Sequence, residues 1–326
     1  MSLDYTWRAA TIADLPNIHA LLEAVGQADD DPRVPSLANL EREFEDEWSP
    51  AETDTQLVLA PDGAAVAYAR LYTNPRPTEA ARTYLDADVH PAQRGTSLED
   101  ALLDWVEQRA SRRLAEVCAA SGFTGLRLLR GRANMALAHE VTRLKRRAFQ
   151  PVRYFYRMRR DLREPIPDLP QPAGLRLTTF APELSEALRQ ADNEAFSDHW
   201  QHEEISEHDW RAFFVESSTF RPDLTFVLFD GDQIAAFSFN RVDPEENARQ
   251  GYTTGWINSL GTRRPWRKRG LASFLITHSF RAFQAAGLDY ATLGVDAENP
   301  SGALGLYEGL GFVSFRRHAA FDKELA

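Results

Sequence analysis

The chain has 326 residues, more than one hydrophobic core usually serves, which predicts two domains of ordinary size. Its 43% hydrophobic and 26% charged residues fit packed globular domains and exclude wholesale disorder. A net charge of -11 argues against broad nucleic-acid binding, which depends on neutralising phosphates, and the single cysteine, Cys118, excludes an internal disulfide or a thiolate metal cage.

Asp14, Glu23, Asp29 and Asp30 interrupt the first thirty residues, so no signal peptide is predicted, and no later stretch reaches the ~18 apolar residues of a membrane span. A cytoplasmic protein without membrane contact is the expectation. From the N-terminus, residues 5–10 read as a strand followed by a helix rich in Leu and Ala. Residues 57–68 read as a hairpin that turns at Asp62-Gly63. Leu98, Ala101 and Leu102 mark the buried face of a helix, and Cys118 reads as a small buried hydrophobe. Arg143, Lys145, Arg146, Arg147, Arg153, Arg157, Arg159 and Arg160 interleave with Tyr154, Phe155 and Tyr156. That pattern fits a solvated helix beside a strand with alternating faces better than a nucleic-acid patch.

The proline-rich residues 164–172 predict an extended, semi-rigid linker near the middle of the chain. After it the order of elements repeats. Residues 175–179 open with a strand, and residues 226–237 match 57–68 as a hairpin turning at Gly231-Asp232. Residues 255–262 read as a buried strand running into a loop, Arg263-Arg264-Pro265-Trp266-Arg267-Lys268-Arg269-Gly270. Leu271, Phe274, Leu275, Ala282 and Phe283 then recur at helical spacing, with Gly287 as the stop. A strand over 291–295, a helix start at Asn299-Pro300, a short helix carrying Tyr307 and a strand over 313–321 complete the chain. The fold class is α/β of the α+β, mixed-sheet kind, with domains at 1–163 and 173–326 and a linker at 164–172.

A loop that opens a helix after a strand suits an anion, because the first helical N–H groups have no intrahelical partner and the helix dipole adds positive potential. Gly270 and Ala272 remove bulk there, and Arg267, Lys268 and Arg269 add charge. Downstream stands Asn299-Pro300-Ser301-Gly302-Ala303-Leu304-Gly305-Leu306-Tyr307-Glu308-Gly309-Leu310-Gly311-Phe312. Together with 267–272, this stretch resembles the GNAT superfamily of acyl-CoA-dependent N-acyltransferases. Their pattern runs strand, Gln or Arg, x-x-Gly-x, Gly or Ala, helix, strand, Asn, a small residue and Tyr-x-x-x-Gly-Phe. The motifs cover about 255–315 and the order of elements extends the resemblance over 173–326; the whole chain has the look of tandem-domain members.

The resemblance implies that each domain is a central, mostly antiparallel, bent sheet flanked by helices. It implies acetyl-CoA as donor, with its pantetheine arm laid along the strand edge at Leu260, Gly261 and Thr262 as an added strand would be. An N–H at Leu260 or Gly261 would polarise the thioester carbonyl, and Arg267, Lys268, Arg269, Gly270, Leu271, Ala272 and Ser273 would seat the pyrophosphate. Tyr307 would protonate the departing thiolate, and Asn299 either contacts the cofactor arm or caps a helix. Family members often carry a glutamate on the central strand, whereas Gly255-Trp256-Ile257-Asn258-Ser259 offers no carboxylate. Glu194, Asp198 and His199 are the candidate bases, each equally readable as part of a solvated acidic loop. His199, His202 and His208 have metal-ligand spacing, but acyl transfer asks for no metal and none is expected.

Laying the first half on the second sets Arg94 on Arg267, Ser97 on Gly270, Glu99 on Ala272 and Leu144 on Tyr307, with Ala148-Phe149 on Gly311-Phe312. A carboxylate at Glu99 would occupy the positive helix end itself and repel a pyrophosphate. The first domain is therefore expected to be a degenerate, non-catalytic copy. The expected acceptor is a small-molecule amine, and the protein a monomer or homodimer. Two alternatives stay open: a non-catalytic sensor of CoA or a metabolite, and an acetyltransferase for protein N-termini or lysines.

Overall fold

The computed structural model describes residues 4–46, 48–298 and 302–325. The chain forms two compact units, Met1–Arg153 with His318–Ala326, and Tyr154–Arg317. The first unit contains, in order, β1 (Thr6–Arg8), α1 (Leu15–Ala28), α2 (Leu37–Phe44), α3 (Ala51–Asp54), β2 (Thr55–Leu59), β3 (Ala65–Thr73), β4 (Ala81–Val89), α4 (Ser97–Ser121), β5 (Arg127–Asn134), α5 (Ala138–Arg146) and the start of β6 (Gln150–Asp161). The second continues with β7 (Arg176–Thr179), α6 (Ser185–Phe196), α7 (Glu207–Trp210), β8 (Phe226–Asp230), β9 (Gln233–Arg241), α8 (Pro244–Gln250), β10 (Thr254–Thr262), α9 (Leu271–Ala285), β11 (Tyr290–Asp296), α10 (Ala303–Gly309) and the start of β12 (Val313–Glu324). A mixed α/β fold with helices against a sheet is what the alternation of period-2 and period-3.6 patterns predicts.

In the first unit the sheet runs β1-β2-β3-β4-β5 and is completed by residues 318–324 of β12, antiparallel to β5. All pairs are antiparallel except β4 and β5, which run parallel only from Ala81 to Tyr84. Leu15, Ile18 and Leu21 of α1 and Leu98, Leu102, Val106, Leu114 and Cys118 of α4 supply its buried helical residues.

The second unit repeats the plan. Its sheet runs β7-β8-β9-β10-β11 and ends on residues 155–161 of β6, antiparallel to β11. The hairpin of β8 and β9 turns at Gly231, whose φ of 57° lies in the left-handed region that glycine adopts at least cost. Phe280 and Phe283 of α9 lie over Leu293 of β11 and Met158 of β6 in one core cluster.

Each half of the chain therefore gives its last strand to the other half's sheet, and the dividing lines fall at Tyr154 and His318 and not at the proline-rich segment. Residues 164–172 belong to the second unit. Arg160 donates to the Pro165 carbonyl at 2.7 Å, Arg281 to that of Pro167 at 2.8 Å, and Gln284 to that of Leu162 at 2.7 Å, so the segment is fastened down instead of spacing two domains. The basic run over 143–160 is structural for the same reason. Arg157 is buried against Glu246 at 3.2 Å and over the Trp256 ring, while Arg159 lies between the Tyr252 and Tyr290 rings.

Candidate active site

The site is built around the free edge of β10. β10 pairs in parallel with β11 only from Thr254 to Ile257, while β11 remains paired with β6 as far as Asp296. On its other side β10 stays on β9 through Thr262, with a register shift between Ile257 and Ser259. A bulge at that point bends the strand and turns it out of the sheet. The result is a wedge between β10 and β11 in which Asn258 to Thr262 have no strand partner on the β11 side among the described residues, and Leu260, Gly261 and Thr262 lie along it. Gly261 is fixed by packing: a Cβ there would stand 2.2 Å from the Phe237 ring.

At the end of this edge the chain makes one turn of 3-10 helix (Arg264–Trp266) and enters α9. Lys268 and Gly270 both have positive φ, 62° and 76°, which folds the loop back over the helix end. Gly270 is the N-cap residue and no side chain caps the helix. The N–H groups of Leu271, Ala272 and Ser273 have no intrahelical partner by geometry, and Lys268 and Arg269 are exposed beside them. Arg267 is differently employed, donating to Asp198 at 2.8 Å, the Ala195 carbonyl at 2.9 Å and the Thr262 carbonyl at 3.2 Å. It anchors the loop from below, and the cations turned outward are Lys268 and Arg269.

Tyr307 lies on α10, half-buried against the cluster that contains Phe280 and Phe312, its ring 5.9 Å from that of Phe312. Its hydroxyl has no hydrogen-bond partner among the described residues, and burial pushes its pKa up to about 12. Asn299 lies outside the described residues.

The three candidate bases fare differently. Glu194 accepts from Arg263 at 2.6 Å, and Asp198 is shared by Arg264 and Arg267, whose hydrogen bonds hold its carboxyl below the usual range. Both are committed to ion pairs that pin the loop. His199 packs on the edge of Phe196, and burial lowers its pKa. His199, His202 and His208 do not gather; among the described residues the one cluster close enough for a metal is Asp29, His139 and Glu140 in the first unit, where Asp29 already holds Arg94.

One carboxylate was not legible in the sequence. Asp192 lies on the buried face of α6, 3% exposed, and accepts a hydrogen bond from Ser259 just past the β10 bulge. Burial pushes it up to about 6, against the opposing effect of the Ser259 hydrogen bond. No motif surrounds it, and an aspartate in an amphipathic helix reads as surface; only a period-3.6 count that places it with Leu188, Ala191 and Ala195 could have found it.

The first unit shows the same frame with different side chains at these positions. Arg94 grips Asp29 as Arg267 grips Asp198, and Gly95 repeats the positive φ of Lys268. Here, however, Glu99 Oε2 accepts the Gly95 N–H at 2.7 Å, so a side-chain carboxylate fills the anion position at the head of α4. At the second motif, the Phe149 N–H donates to the Leu144 carbonyl as that of Phe312 does to Tyr307, and Ala148 takes the positive φ of Gly311. The superposition that sets Leu144 on Tyr307 is thus written in the backbone, and Leu144 has no proton to give.

Residues 185–312, all in the second unit, match the model of the acetyltransferase (GNAT) family. Over 317 residues the chain is 28% identical to mycothiol acetyltransferase of Streptomyces scabiei, covering 96% of this chain and 93% of that one. The structure is similar to a GCN5-related N-acetyltransferase from Sphaerobacter thermophilus, with a TM-score of 0.73, 26% identity and coverage of 98% and 95%. It is also similar in fold to a tandem GNAT protein from the clavulanic acid biosynthesis pathway, with a TM-score of 0.68, 13% identity and coverage of 98% of both chains. Among the described residues no helix is long and apolar enough to cross a membrane.

Proposed function

We propose that the chain is an acyl-CoA-dependent N-acyltransferase of the GNAT superfamily with tandem architecture, and that its second unit alone transfers an acetyl group from acetyl-CoA to the amine of a small molecule. The observation that carries this reading is the pairing of a bare β10 edge with an uncapped α9 end in the second unit, against the Glu99-filled end of α4 in the first.

In this reading the edge at Leu260, Gly261 and Thr262 takes the pantetheine arm by strand addition. The N–H groups of Leu271, Ala272 and Ser273, with Lys268, Arg269 and Gly270, take the pyrophosphate, while Arg267 holds the loop in shape. A β10 N–H at Leu260 or Gly261 donates to the thioester oxygen as charge develops on it. The amine attacks directly, the new C–N bond replaces the C–S bond, and Tyr307 gives its proton to the sulfur. A phenol suits that step because it stays protonated until a thiolate, far more basic than the parent thioester, appears beside it. A small-molecule acceptor is supported by the name of the mycothiol acetyltransferase relative.

The test is release of free thiol from acetyl-CoA in the presence of a panel of amino sugars, amino-acid amides and polyamines. At least one should be acetylated by the intact protein, and Tyr307→Phe should lower kcat about 100-fold or more while acetyl-CoA still binds. Binding without turnover of any amine would favour the sensor reading, and acetylation confined to peptides would favour a protein acceptor.

A further inference from the structure

We propose that Ser259 and Asp192 form the proton-accepting pair of the second unit, the Ser259 hydroxyl meeting the acceptor amine and Asp192 receiving the proton through it. The inference rests on the acetyl-transfer reading above and supplies the base that the central strand lacks.

A carboxylate on the apolar face of a helix is costly without a partner. Asp192 has one partner among the described residues, the Ser259 hydroxyl, which donates to Oδ1. No ion pair compensates it. Packed against α6 are β9, β10, α7 and the 3-10 turn Pro182–Leu184, and Phe237 and Phe239 of β9, Trp210 of α7 and Leu184 of the turn join the cluster that Leu188, Ala191 and Ala195 of α6 complete. No charged or titratable group among the described residues acts on the carboxyl besides Ser259 and burial itself. This sets it apart from Glu194 and Asp198, each of which is ion-paired to arginine. An unpaired buried carboxylate is ionised near neutrality yet basic enough to keep a proton, which a paired one is not.

Its position matches the chemistry. Ser259 is the first residue beyond the bulge, where β10 has left β11. Side chains alternate along a strand, and the next residue, Leu260, packs with Leu271 and Leu275 of α9. Ser259 therefore faces α6, on the opposite side of the sheet from the phosphate seat. Its neighbour in sequence carries one of the two N–H groups assigned to the thioester oxygen. A nucleophile that attacks the carbonyl from the α6 side meets Ser259.

As the C–N bond forms and the C–S bond breaks, the amine proton passes to Ser259 Oγ and the hydroxyl proton passes to Asp192 Oδ1. Tyr307 protonates the sulfur; Asp192 then returns a proton to water and Tyr307 recovers one. Asp192 acts through Ser259 and is a positioning residue in that sense, so its test needs a readout that folding alone would not move.

That readout is the pH profile of kcat/KM between pH 5 and 9, measured with acetyl-CoA and the amine turned over best in the panel, for the intact protein, Asp192→Asn, Ser259→Ala and His199→Gln. Asparagine keeps an oxygen that can accept from Ser259, and calorimetric binding of acetyl-CoA reports whether each variant is folded. Asp192→Asn should lower kcat/KM about 100-fold with acetyl-CoA affinity unchanged, and should erase the acid limb of the profile. Ser259→Ala should move that limb to higher pH, because the hydrogen bond that favours the ionised carboxyl is gone. An acid limb that survives Asp192→Asn, or that disappears in His199→Gln instead, overturns the pair while leaving acetyl transfer intact. Absence of turnover with every amine is a failure of the acetyl-transfer reading itself, and the pair falls with it.

Discussion

Burial, partial for Tyr307 and nearly complete for Asp192, moves both pKa values upward with opposite chemical results. For Tyr307, at about 12, it secures the protonated form over the whole working range. The form of Tyr307 that can protonate sulfur is the phenol, so Tyr307 should impose no alkaline limb on kcat below about pH 10. An activity loss near pH 8 that Tyr307→Phe abolishes would contradict this. For Asp192, at about 6, the raised value is a stability statement. The folded state prefers the protonated acid, so its contribution to stability is full below the unfolded value near 4 and is lost as pH rises through about 6. Asp192→Asn should flatten that dependence and melt higher than the native protein at pH 7, by up to about 3 kcal/mol. Equal melting temperatures of the two proteins at pH 5 and pH 8 would show that the carboxyl is not buried as described. A residue that costs stability where it stands is one for which a functional reason is due.

The wedge between β10 and β11 and the turn into α9 are where the elements make the site. Gly261 tests the wedge: its absent Cβ would meet the Phe237 ring at 2.2 Å, so Gly261→Ala must push β10 or Phe237 aside. A cost of roughly 1–3 kcal/mol is expected, with weakened acetyl-CoA binding, measurable by thermal unfolding and calorimetry. The glycine loop, α9, β11 and Tyr307 on its short helix could be read from sequence because each is carried by local signals, such as a glycine at a positive φ or apolar residues at helical spacing. Glu99 was legible for the same reason, and its bond to the Gly95 N–H gives the reading a physical form. Asp192 and the engagement of Arg267 were not. Both depend on what another element places opposite them, Ser259 in one case and Asp198 in the other, and no local pattern encodes that.

At the scale of the whole chain, the exchange of last strands was invisible to a reading that took the proline-rich segment as a boundary. Strand 155–161 precedes that segment yet pairs with β11, and strand 318–324 closes the chain yet pairs with β5. Prolines report where the backbone is stiff and extended; sheet partners are decided by register across 130 residues and more, for which a single sequence offers no sign. A fragment of residues 173–326 should therefore fail to fold, since it lacks the strand that covers β11 and the Arg157 that neutralises buried Glu246. Its circular dichroism should show loss of cooperative melting, and a stable, monomeric fragment would contradict the exchanged topology.

We propose that the tandem chain holds one working donor seat, in its second unit. Calorimetric titration of acetyl-CoA into the intact protein and into Gly270→Glu tests it most directly, because the variant brings to α9 the kind of charge that Glu99 brings to α4. One site per chain, abolished by Gly270→Glu, is the predicted result; two sites, or one that survives the substitution, would place acetyl-CoA in the first unit and contradict the account.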